Sequence, residues 1–119
     1  MRKTRKRRPW AAREACMKHF MIRYTRSNGA EADWHRDIAG FIAALDGDPD
    51  LKGKISYRCM KLRDAPDYIH LAAAADEEAV KTLQGKEFFK RYTERTREVS
   101  GGGVTVTPIE IIAETAYRS

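Results

Sequence analysis

From His19 to Arg26 apolar and polar side chains alternate, with Phe20, Ile22 and Tyr24 on one face and His19, Met21, Arg23 and Thr25 on the other. Aromatic and β-branched residues at period two predict a strand. Ser27-Asn28-Gly29 ends it, and Asn28 followed by Glu31 has the form of a capping box. Trp34, Ile38, Phe41, Ile42 and Leu45 then recur at helical spacing, which predicts an amphipathic helix from about Ala30 to Leu45. The Gly and Pro of Asp46-Gly47-Asp48-Pro49-Asp50 stop it. A second strand is expected from about Ile55 to Leu62 and a third from about Tyr68 to Ala74, joined as a hairpin by the turn chemistry of Arg63-Asp64-Ala65-Pro66-Asp67. Asp76-Glu77-Glu78 places acids where a helix dipole favours them, and Val80 and Leu83 supply the apolar side as far as Gly85. Phe88, Phe89, Tyr92 and Val99 continue the helical pattern, so one kinked helix or two short ones should follow. After the Ser100-Gly101-Gly102-Gly103 joint, a last strand is expected from Val104 to about Glu114, with Pro108 requiring an edge position or a bulge.

The order strand, helix, strand, strand, helix, strand is the split βαβ pattern of an α+β, ferredoxin-like βαββαβ domain. Right-handed crossovers place both helical segments on one face of its antiparallel sheet. The other face should carry Met21 and Thr25, then Met60 and Leu62 or their alternates, then Tyr68, Ala72 and Ala74. A half-apolar face is covered when two copies pair sheet to sheet, so a homodimer is expected, although antiparallel sheets also tolerate one solvated face.

Composition refines this picture little. A chain of 119 residues with 42% apolar residues suits a single domain, and no apolar run approaches the roughly 18 residues of a membrane span. Cys16 and Cys59 make neither a disulfide framework nor a zinc spacing, so a reducing, cytoplasmic setting is expected. Location matters more for charge. Residues 1–16 carry Arg2, Lys3, Arg5, Lys6, Arg7, Arg8 and Arg13 against Glu14 alone, which accounts for the whole net charge of +6 and leaves residues 17–119 neutral. Such an arm could bind phosphate backbones, with Trp10 stacking on a base. Arg7-Arg8 resembles a twin-arginine signal, but Arg13, Glu14 and Lys18 interrupt any apolar region behind it. The reading preferred here is a disordered, dispensable extension upstream of a start at Met17, with nucleic acid disfavoured as a partner.

The element order, the opening Phe20-Met21-Ile22-Arg23-Tyr24, the Lys86-Glu87-Phe88-Phe89-Lys90-Arg91-Tyr92 stretch and the closing Ile109-Glu110-Ile111-Ile112 carry a resemblance. Over about residues 17 to 116 the chain resembles the dimeric α/β-barrel superfamily, and within it the antibiotic-biosynthesis-monooxygenase-like proteins. The resemblance implies a cofactor-independent oxygenase acting on quinol-like or polyketide aromatics, or a haem-degrading relative, in a superfamily that also has members of no known activity. The haem-degrading branch uses an Asn on the first strand with a Trp and a His, the His lying on the second helical segment. Here the first strand has no Asn, Trp34 sits in the first helix, and residues 76–99 contain no His.

Oxygenation without a cofactor needs a pocket for an electron-rich aromatic and a base or hydrogen-bond partner that helps form its anion. His70 is the best base on offer, and Arg23 is expected beside it, keeping the imidazole neutral and steadying a phenolate or enolate. The competing reading makes His70 and Arg23 polar members of a dimer interface. Trp34, Tyr24 and Phe89 are candidates for a substrate-binding wall, with plain core packing as the alternative. Glu31 and His35 have i,i+4 spacing but read as a surface pair rather than a metal site. The expected function is thus monooxygenase-like action on a small aromatic or quinol without metal or other cofactor. The alternatives are a non-catalytic dimeric binding or stress-related module, or nucleic-acid binding through the arm.

Overall fold

The alternating segments pair into one four-stranded antiparallel sheet, β1 (Lys18–Thr25), β2 (Ile55–Lys61), β3 (Asp67–Ala74) and β4 (Thr105–Ile109), in the order β2-β3-β1-β4. The structure, a computed structural model, describes residues 17–116; the expected basic arm of residues 1–16 lies outside them. Three helices complete the domain: α1 (Glu31–Gly47), α2 (Glu77–Gln84) and α3 (Glu87–Ser100). This is the α+β, ferredoxin-like arrangement.

The helical segments end for local reasons. Asp76 caps α2 by accepting from the Ala79 amide at 2.9 Å, and the break at Gly85 separates α2 from α3. Gly101 closes α3 at φ 69°, a left-handed position that favours glycine. The capping box expected at Asn28 does not form. Asn28 Nδ2 instead donates to the Glu98 carbonyl at 2.8 Å, tying the exit of β1 to the end of α3, and Ala30 stands at the N-cap of α1 without a side-chain bond. β4 occupies the edge that Pro108 requires and is shorter than expected, stopping at Ile109.

The core lies between the sheet and the helices, formed by Tyr24 and Tyr68 from strands, Trp34, Phe41 and Leu45 from α1, and Tyr92 and Val99 from α3. Phe41 and Tyr92 stack at 3.8 Å between centroids, and Trp34 stacks on the same tyrosine at 5.7 Å, joining α1 to α3 through aromatic faces.

The register corrects the expected outer face. Tyr68 pairs with Tyr24, His70 with Ile22 and Ala72 with Phe20. Directly paired residues share a face, so Tyr68, Ala72 and Ala74 point toward the helices. The outward side chains of β3 are Ile69, Leu71 and Ala73, beside Met21 of β1 and Met60 of β2. The open face therefore presents Met21, Met60, Ile69, Leu71 and Ile109, mixed with His19 and Arg23.

Candidate functional site

Along the helix-facing side of β3, Tyr68 and His70 give way to Ala72 and Ala74. The small side chains leave space beneath α2 and α3, and a cavity of about 390 Å³ opens there. Phe20, Ile22 and Tyr57 wall it from the sheet, Leu83 and Phe89 from the helices, and most of its surface is apolar. His70, Tyr92, Thr96 and Arg97 bring polar groups to the wall. A mostly apolar concave site with a few convergent polar groups is the usual form of a small-molecule pocket.

His70 is 1% exposed, and burial pushes its pKa down to about 4, so the ring is neutral near pH 7. The cause is not the one expected. Arg23 pairs with Ile69, one residue out of step with His70, and alternation puts the guanidinium on the opposite face of the sheet. His70 and Arg23 are not brought together in one protomer, and the neutral state rests on desolvation rather than on a neighbouring cation.

Two tyrosine hydroxyls bracket the imidazole: Tyr24 Oη lies 3.0 Å from Nε2 and Tyr92 Oη 3.4 Å from Nδ1. Behind Tyr24, the Trp34 indole Nε1–H donates to the same hydroxyl at 2.9 Å. Indole can only donate. Tyr24 Oη accepts from Trp34, and its only other partner among the described residues is His70, so the hydroxyl proton goes to Nε2. A neutral ring that accepts at Nε2 carries its proton on Nδ1, facing Tyr92. Cys59 pairs with His70 across β2 and β3 and faces the same side of the sheet. Burial raises the pKa of Tyr24, Tyr57 and Tyr92 and pushes Cys59 to about 11, so all four remain protonated near neutrality.

Of the candidate site residues, His70 and Phe89 line the cavity. Tyr24 and Trp34 are buried behind His70 and reach the site through hydrogen bonds. Tyr92, Tyr57 and Arg97 are not among the site residues expected from the sequence, although Phe89, Tyr92, Thr96 and Arg97 follow the spacing of one helical stripe. Glu31 and His35 do not pair with each other: Glu31 faces Arg26 at 3.7 Å, and His35 Nε2 meets Tyr68 Oη at 2.8 Å. Among the described residues no cluster of His, Cys, Asp or Glu could hold a metal ion.

No protein-family profile matches the chain. No curated protein matches it either. Solved structures do. SnoaB, a cofactor-independent oxygenase from Streptomyces nogalater, is 19% identical at a TM-score of 0.68, over 85% of this chain and 98% of that one. A Caulobacter crescentus protein provisionally described as an antibiotic biosynthesis monooxygenase is 13% identical at a TM-score of 0.69, over 82% of this chain and 91% of that one. A dimeric ferredoxin-like protein of unknown function from Jannaschia is 20% identical at a TM-score of 0.59, over 80% of this chain and 99% of that one. The chain thus shares the α+β, ferredoxin-like fold of these three proteins.

Proposed function

We propose that this protein is a homodimeric, cofactor-independent monooxygenase-like protein that takes a small aromatic or quinol into the cavity beside His70. The observation that carries this reading is the 390 Å³ apolar cavity with a buried, neutral imidazole on its wall. An electron-rich ring would sit against Phe89 and Tyr57, and the polar edge at His70 and Tyr92 would hold its oxygen. The likeness to SnoaB adds an oxygenase that works without a cofactor on the same fold. Dioxygen would be the oxidant and the substrate its own reductant, with one oxygen atom entering the product and the other leaving as water.

The dimer is part of the same reading. Met21, Met60, Ile69 and Leu71 form an apolar patch on the uncovered sheet face, and a second copy would bury it. Arg23 then belongs to the interface rather than to the pocket. No helix among the described residues is long and apolar enough to cross a membrane. A cytoplasmic setting is kept as an expectation within this proposal.

Oxygen uptake with a naphthoquinol, measured with chelator present, tests the activity. The proposal expects uptake above the autoxidation rate and its loss in His70→Ala. Uptake equal to autoxidation, alongside saturable binding of the quinol, would favour a non-catalytic binding module of the same fold.

A further inference from the structure

Giving every proton around His70 a partner orders the hydrogen bonds in one direction. Trp34 Nε1–H donates to Tyr24, Tyr24 to His70 Nε2, and His70 Nδ1–H to Tyr92. Indole can only donate, so this is the order in which the Tyr24 hydroxyl proton and the His70 ring proton each find an acceptor. The last proton is on Tyr92 Oη, and Cys59, which pairs with His70, lies on the same face of the sheet. Tyr92 also lines the cavity.

We propose that Tyr92 is the group that meets the substrate, donating its hydroxyl proton to a carbonyl or phenolate oxygen of the bound aromatic, with Trp34, Tyr24 and His70 as positioning residues that align it. This rests on the aromatic-binding reading of the cavity and makes it more specific: the ligand must present a hydrogen-bond acceptor at the His70 end. A ligand oxygen gives the Tyr92 proton a strong acceptor. Each upstream donor polarises the next, so the chain is strongest when negative charge gathers on its terminal acceptor. A neutral His70 already bonded at Nε2 serves as a link in this chain rather than as the first base.

Two measurements test this. In the unliganded wild-type protein, heteronuclear NMR of the imidazole nitrogens should find the His70 proton on Nδ1; a proton on Nε2 overturns the proposal without recourse to any variant. The second compares naphthoquinone with naphthalene, rings of one shape with and without acceptor oxygens. Tyr92→Phe should weaken naphthoquinone binding roughly tenfold and leave naphthalene binding unchanged. Trp34→Phe should lower naphthoquinone affinity a few-fold, again with naphthalene unchanged, whereas a merely structural role would weaken both. Equal loss of both ligands, or no loss of naphthoquinone in Tyr92→Phe, overturns the inference while the aromatic cavity stands. Failure of both rings to bind the wild-type protein overturns the cavity reading and this inference with it.

Discussion

Trp34 on α1 and Tyr24 on β1 meet through a buried hydrogen bond of 2.9 Å from the indole nitrogen to the phenol oxygen. The bond joins helix to sheet at a point sealed from water, and it leaves the tyrosine with one proton and one direction in which to send it. A residue whose spacing marks it as core is therefore also the origin of the polar chain that ends in the cavity.

Replacing Trp34 with Phe removes that donor and part of a ring stacked on Tyr92. The variant should lose about 2 kcal/mol of stability, from lost packing and an unsatisfied Tyr24 hydroxyl together. Urea denaturation followed by fluorescence and circular dichroism measures it. A loss within experimental error would mean that the bond carries no structural weight.

The buried imidazole makes stability depend on pH. His70 has a pKa near 4 in the folded protein against 6.5 when free, so between these values the unfolded chain binds the proton more readily. Stability is therefore full above pH 6.5 and falls as pH drops toward 4, by about 3 kcal/mol if the whole shift is expressed. A His70→Gln variant should lack this slope, and the difference between the two denaturation curves isolates it from the carboxylates. Parallel curves across that range would show that His70 is not held neutral.

The open sheet face can be tested separately. Leu71 is 36% exposed at the centre of β3, where it pairs with Met21. A carboxylate there would be desolvated against apolar side chains in a dimer and solvated in a monomer. Leu71→Asp should sediment as a monomer with an unchanged circular dichroism spectrum, while the wild type sediments as a dimer. A wild-type monomer in dilute solution would remove the homodimer from the proposal.

Much of the fold was legible in the sequence because each strand and helix carries its own period. The faces of β1 were assigned from Phe20, Ile22 and Tyr24, and α1 from Trp34, Phe41 and Leu45. Register is different: it belongs to two strands at once, and a shift of one residue exchanges every face. Hence His70 was expected beside Arg23 and lies across from Ile22. The site was half legible for the same reason. His70 and Phe89 stand out by residue type, whereas Tyr92 resembled another core aromatic until its hydroxyl was found beside the imidazole. Ala72 and Ala74 gave no chemical signal, yet their small size is what leaves room for a ligand.

That vacancy offers the most direct test. Ala72→Phe places a ring in the cavity and leaves His70, Tyr24 and Trp34 unsubstituted. Calorimetric titration of anaerobic naphthoquinol should give saturable binding of one molecule per protomer in the wild type, and none in Ala72→Phe, with both proteins folded by circular dichroism. Absence of binding to the wild type, or equal binding to both proteins, would contradict a ligand site between the sheet and the second and third helices.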